Sequence, residues 1–248
     1  MIFISRHGER ADFLKPDFRG THKYLDTPLT PLGHEQARAT GRAIKKLAYS
    51  LIEEKKSFIS KPKFMIISSP FLRTIETAAG IAETFDSDEL YDKSIFVQYG
   101  CSEILTWYSY DVMPDIQISK LTPSGFSEKY SIPIKTNEFD EKLFTQVKYP
   151  ETEADFVARI QKFYTVLVDI YLKKLAKEGV ILIISSHGWA VQEILKLLEA
   201  YDEKKPIDYC SLSAICYKKG DVGPEAKVVL AQSLDHLAGL PPKSKDFL

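Results

Sequence analysis

Short apolar runs alternate along the chain with longer stretches in which apolar residues recur every three or four positions, the pattern of buried strands interleaved with amphipathic helices. Ile2 to Ser5 reads as the first buried strand, and it ends abruptly in Arg6-His7-Gly8-Glu9-Arg10. Asp12 to Tyr24 is polar and reads as a surface loop. Thr30 is a predicted N-cap with Pro31 at the first helical position, and Ala37, Gly41, Ile44, Leu47 and Leu51 give that helix one buried face. Lys63 to Ser68 is the second strand. Ser69-Pro70 repeats the cap-and-proline pattern, which predicts a second helix right at that strand's end, with Arg73 in its first turn. Ile75, Ala78, Ala79 and Ala82 form its apolar face. Ile95 to Gln98 is a third short strand, leading into Tyr99-Gly100-Cys101-Ser102-Glu103.

From Trp107 to Tyr149 the periodicity gives way to aromatics and prolines, which predicts an insertion (107–149) packed over the carboxyl edge of the sheet. A long helix follows from Thr152, whose side chain is placed for a capping box with Asp155. Phe156, Ile160, Phe163, Leu167, Ile170 and Leu175 mark its buried stripe, and Gly179 is read as its closing residue. Val180 to Ile184 is the most apolar strand, expected at the centre of the sheet, and it ends in Ser185-Ser186-His187-Gly188. A helix from Ala190 to Leu198, strands at Leu212 to Tyr217 and Lys227 to Ala231, and a loose tail at 240–248 complete the reading.

The fold class is therefore α/β, with 1–248 read as one domain. The chain is 44% hydrophobic and 27% charged, enough to bury a full core without staples. Its 33 basic and 34 acidic side chains give a net charge of -1, which argues against nucleic acid or an anionic membrane as partner. Three widely spaced cysteines and no leader or spanning segment point to a reducing, cytoplasmic setting.

Open α/β sheets bind ligands along the carboxyl edge of their strands. Three strand ends there carry matching groups: Arg6, His7 and Arg10; Ser69 and Arg73; and His187. Adjacent strands lie about 4.8 Å apart, so three neighbouring ends can surround one phosphate. Gly8 is expected to let the backbone approach that ligand. Glu103 follows a further strand and faces the same edge.

These residue types suit phosphoryl transfer to a histidine without a metal or other cofactor. His7 attacks phosphorus while Arg6, Arg10, Arg73 and His187 hold the equatorial oxygens, and Ser69 adds a substrate contact. The arginines disfavour the imidazolium and so keep His7 nucleophilic. Glu103 protonates the leaving oxygen and then activates water. Nearby arginines lower the pKa of that acid and a bound phosphate dianion raises it, so the expected optimum is mildly acidic.

The motifs resemble those of the histidine phosphatase (phosphoglycerate mutase-like) superfamily, branch 1: Arg6-His7-Gly8, Ser69-Pro70-Phe71-Leu72-Arg73 with Thr77 a turn later, and Ser186-His187-Gly188, in that order. Arg6 to Asp12, Asp26-Thr27-Pro28-Leu29-Thr30 with Gly33, Gln36 and Ala37, and Gly100 with Glu103 are similar to one subgroup. That subgroup is the phosphatase domain of ubiquitin-associated, SH3-containing proteins and the ecdysteroid-phosphate phosphatases. The resemblance implies a three-layer α/β/α sandwich with a mostly parallel sheet, dephosphorylation through phosphohistidine of a phosphorylated small molecule or phosphopeptide, and raises a homodimer. Ile104 stands where the subgroup has tryptophan after the acid, and Gly188 stands where the acid-phosphatase branch has aspartate.

Other chemistries fail on spacing. No cysteine is followed six residues later by arginine, since Trp107, Cys216 and Val222 occupy those positions. Arg38 stands where a zinc helix opening at His34-Glu35 needs its second histidine, and no Walker loop exists. Arg19 reads as a surface arginine, with a further phosphate contact as the alternative, and His22, His34 and His236 read as ordinary histidines. The competing functions are a phosphoglycerate or phosphosugar mutase, disfavoured by Arg10-Ala11-Asp12-Phe13, and a non-catalytic phosphate-binding scaffold.

Overall fold

The central apolar runs become strands here because both their faces are buried by helices whose own apolar stripes need the same cover. The computed structural model describes residues 1–13, 26–54, 61–106, 132–136, 144, 146–219 and 224–243. Its strands are β1 (Ile2–Arg6), β2 (Lys63–Ser68), β3 (Leu90–Val97), β4 (Ile134–Thr136), β5 (Val180–Ser186), β6 (Leu212–Lys219) and β7 (Pro224–Ser233). Its helices are α1 (Pro31–Glu54), α2 (Leu72–Ala82), α3 (Glu153–Lys173) and α4 (Gly188–Leu197). The strands form one sheet in the order β4-β3-β2-β5-β1-β6-β7. All neighbours from β4 to β1 pair in parallel, and β6 runs antiparallel to both β1 and β7.

Alternation along the central strands separates two cores. Phe3, Phe64, Ile66, Ile181 and Ile183 pack with Ile44 and Ala48 of α1 and with Ala78 and Ile81 of α2. Ile2, Ile4, Met65, Ile67, Leu182 and Ile184 pack on the other side with Phe156, Ile160 and Phe163 of α3 and Val191 and Ile194 of α4. The result is three layers around a mostly parallel sheet, with β5 in the middle as its composition predicts. Among the described residues no helix is long and apolar enough to cross a membrane.

Several expectations hold closely. Thr30 caps α1 by accepting from the Gly33 amide, and Thr152 and Asp155 form the full capping box of α3. Others shift. On α1 the buried stripe runs through Ala48 and Ile52 rather than Leu47 and Leu51. Gly179, at φ 73°, closes a short 3-10 turn (Leu175–Glu178) that follows α3, not α3 itself. β3 begins five residues before its expected start, passing through Asp92 and Lys93 at positive φ.

The start of α2 is the main correction. Phe71, not Ser69, is its N-cap residue and makes no side-chain cap. The Ser69 hydroxyl instead meets His187, and the Leu72 amide is taken by the Asp26 carboxylate. Of the predicted insertion, residues 132–136, 144 and 146–149 are described, and among them Ile134–Thr136 forms an edge strand beside β3. The rest of 107–149 lies largely outside the described residues, as do Arg19, His22 and the end of the 240–248 tail.

Candidate active site

β1, β5 and β2 are consecutive in the sheet, so the three strand ends that carry Arg6-His7, Ser186-His187 and Ser69 are immediate neighbours. The His7 amide donates to the Ser186 carbonyl and the Ser69 amide to the Ser185 carbonyl, both continuing the parallel ladders past their last paired residues. His7 and His187 are thereby fixed with ring centroids 5.4 Å apart, edge to face, and both are buried.

The His7 ring has one nitrogen occupied: Nδ1 lies 2.8 Å from the Gly8 carbonyl and donates to it. That bond selects the tautomer whose lone pair is on Nε2. Burial drives the His7 pKa well below its ordinary value, and the charges of Arg73 and Arg6 and the neighbouring His187 push the same way. His7 is therefore a neutral imidazole. Burial outweighs the opposing effect of Glu103 at His187 and brings it to about 4.

Glu103 Oε2 lies 3.3 Å from His187 Nδ1 and 3.8 Å from Arg73 Nη2. Burial alone would raise its pKa, but His187, Arg73 and Arg10 together outweigh that and hold it at about 2. His187 Nε2 meets the Ser69 hydroxyl at 2.8 Å, and Phe71 packs edge-on against its ring. Arg73 is fully buried, with its guanidinium 4.5 Å over the Phe71 ring. Its Nε and Nη1, and Nε of Arg6, are buried donors that have no acceptor among the described residues.

Arg10 departs from the expectation that it grips an oxygen directly. Its Nε and Nη2 form a fork on the Asp12 carboxylate. Its charge nevertheless acts on Glu103 and His187. Gly8 also differs from its expected use. A Cβ there would meet the Gly33 carbonyl oxygen at 2.6 Å, so the close approach it permits is to the first turn of α1.

Below the histidine lies a polar brace built from the resemblance motifs. The Gly8 amide donates to Thr77, the Glu9 amide to Gln36, and the Thr30 hydroxyl to the Glu9 carboxylate. The Leu29 amide donates to Glu76. The loop after β1 and the segment before α1 are thus tied to the first turns of α1 and to the second turn of α2.

Two features were not legible in the sequence. Arg6 Nη1 donates to the Ile207 carbonyl while its guanidinium stacks 4.4 Å over Tyr209, and the Cys210 amide donates to the His7 carbonyl. The 207–211 turn therefore closes over the end of β1, and only a residue at positive φ, Cys210, marks it. Arg159, on α3, bonds to the loop that carries Glu103. Its signal was a charged residue on the apolar stripe, three positions after Phe156 and four before Phe163.

The family model described as the histidine phosphatase superfamily (branch 1) matches residues 2–95. Residues 2–95, from β1 into β3, are thus similar to that superfamily. The ecdysone phosphate phosphatase from Bombix mori, in complex with tungstate, superposes with a TM-score of 0.62 at 20% identity, over 98% of this chain and 94% of that one. Phosphoserine phosphatase from Entamoeba histolytica, in complex with 3-phosphoglyceric acid, gives a TM-score of 0.51 at 20% identity, over 95% and 98%. Mycobacterial glucosyl-3-phosphoglycerate phosphatase gives 0.52 at 18%, over 94% and 98%. No curated protein matches in sequence. The likenesses show that this chain shares its fold with these phosphatases, and His7, Ser69 and His187 stand at three consecutive strand ends of it, with Arg73 in the first turn of α2.

Proposed function

We propose that this protein is a phosphomonoesterase that needs no metal and works through a phosphohistidine on His7. The observation that carries the reading is the state of His7: a buried, neutral imidazole with Nδ1 anchored on Gly8 and Nε2 left as the nucleophile, beside the buried guanidinium donors of Arg6 and Arg73. A phosphoryl group supplies the acceptors those donors lack, and its developing charge is met by fixed groups at no reorganisation cost.

In the first step the Nε2 lone pair attacks phosphorus, the bond from phosphorus to the ester oxygen breaks, and that oxygen takes a proton from Glu103. In the second, a water gives its proton to Glu103 and attacks the phosphohistidine, the phosphorus–nitrogen bond breaks, and inorganic phosphate leaves as the monoanion carrying that proton, with His7 and the Glu103 carboxylate restored. Arg6, Arg73 and His187 hold the equatorial oxygens, Ser69 orients His187, and Arg10 contributes charge. Glu103 is ionised in the free protein, so the proton it delivers enters on the substrate monoanion. A phosphorylated small molecule or a phosphopeptide is the substrate, and the tungstate in the Bombix mori structure is an oxyanion in keeping with such a site.

The test is to quench the protein after brief mixing with labelled 4-nitrophenyl phosphate and look for acid-labile, base-stable phosphate on the chain. It is expected on His7, and His7→Asn is expected to lose both the label and turnover by more than about 10³-fold. Full turnover in His7→Asn, or loss of turnover on adding a chelator, overturns the reading.

A further inference from the structure

Glu103 stands on a loop with no regular hydrogen-bonded frame of its own beyond a single 3-10 turn, Tyr99–Cys101. Yet a general acid must be held to a fraction of an ångström. What holds this loop is its row of carbonyl oxygens. Arg159 Nη1 lies 2.9 Å from the Gly100 carbonyl, 3.2 Å from that of Ser102 and 3.4 Å from that of Tyr99. Its Nη2 lies 3.3 Å from the carbonyl of Glu103 itself. The remaining carbonyl, that of Cys101, accepts from Ser186 at 2.7 Å, one residue before His187.

The guanidinium is aimed by a second contact. Its Nε and Nη2 each lie 2.7 Å from the two oxygens of Glu151, a two-point fork in which both partners are buried. Glu151 is tied to the far end of the same loop, because its amide donates to the Leu105 carbonyl. One turn along α3 from Arg159, Phe163 lies so close to Gly100 that a Cβ there would sit 2.5 Å from its ring. One helix face therefore fixes the loop from both sides.

We propose that Arg159 is the positioning residue for the general acid: with Glu151 it sets the main-chain path from Tyr99 to Leu105 and so places the Glu103 carboxyl beside His187. This rests on the phosphohistidine reading with Glu103 as acid. Arg159 touches neither substrate nor the reacting atoms. Lysine cannot replace it, since a single ammonium has no planar fork to span a carboxylate and a row of carbonyls together.

The experiment compares kcat/KM on two substrates: 4-nitrophenyl phosphate, whose leaving group departs without a proton, and 2-phenylethyl phosphate, whose leaving group needs one. In Arg159→Met the ratio of the second to the first is expected to fall by at least about 10-fold, within the range of 10²–10⁴ that proton transfer contributes. Arg159→Lys is expected to leave the ratio low. In a Glu103→Ala background Arg159→Met is expected to change the ratio no further, because the group it positions is gone. Equal losses on both substrates, or a second drop in the Glu103→Ala background, reduce Arg159 to a structural ion pair and overturn the proposal. If Arg159→Met does not fold, Glu151→Gln, which leaves the guanidinium in place but weakens its aim, is measured by the same ratio and judged by the same outcomes. The wild-type labelling of His7 separates the two readings: a labelled His7 with an unchanged ratio removes only the role of Arg159, and an unlabelled His7 removes both.

Discussion

His7 and Glu103 reach their working states by opposite routes, and a pH profile exposes both. Burial and the flanking positive charge keep His7 neutral far into the acid range, so its protonation cannot limit the reaction near neutrality. Glu103, at about 2, is ionised at every ordinary pH, so in the proposed mechanism the proton arrives on the substrate. The expected outcome is that kcat/KM for an alkyl phosphate falls above about pH 6, where a phosphate monoester loses its second proton. That limb should move with the pKa of the substrate when a more acidic ester is used, and a limb fixed on the enzyme would contradict it. The residues proposed for this chemistry could be picked out because His7 and His187 each stand just past an apolar run, with Arg73 and Glu103 a few residues beyond two others. Tyr209 and Arg159 could not. One stands in a turn with no apolar run before it, and the other is a charged residue hidden in the stripe of a helix, where spacing cannot tell a buried ion pair from an exposed face.

Among the elements, the helix starts carry most of the positioning. The capping box of α3 is solvent-exposed, so Thr152→Ala is expected to cost about 1 kcal/mol in urea unfolding. The contact between the loop after β1 and the first turn of α1 behaves differently. A Cβ on Gly33 would meet the Glu9 carbonyl oxygen at 2.4 Å and its amide nitrogen at 3.0 Å, both of them backbone atoms that cannot swing away. Gly33→Ala is expected to cost about 1–3 kcal/mol and to lower turnover as well, since the strain falls two residues from His7. Loss of stability with unchanged kcat/KM would show that the brace is not what sets the histidine. The cap of α1 was readable from Thr30-Pro31 because it is made locally. That of α2 was not, because its partner, Asp26, comes from a distant loop and leaves the Ser69 hydroxyl to His187.

For the whole molecule, two buried neutral histidines make folding sensitive to acid. The folded pKa of His187, about 4, lies below its unfolded value near 6.5, so the unfolded chain binds more protons between them. Stability is expected to be full above about pH 6.5 and to drain as pH falls towards 4, with His7 adding in the same direction. Glu103 then adds a second loss between about pH 4.3 and 2, as its depressed carboxyl is protonated. His187→Gln should flatten the upper stage by up to about 1.4 kcal/mol per pH unit in urea titrations, and an unaltered slope would contradict a neutral histidine there. The strands other than β4 were readable from their composition, but their full order was not, because nothing local says which run lies beside which. That order carries a consequence of its own. β1 and β2 do not pair with each other, and the strand that joins them, β5, is separated from β2 by more than a hundred residues of chain. A nascent polypeptide lacking β5 holds the proposed nucleophile His7 and Arg73 on two halves with no seam between them. Catalysis should therefore emerge in a single stroke when β5 slots in, and during unfolding it should vanish along with the sheet, leaving no half-built form that still turns over.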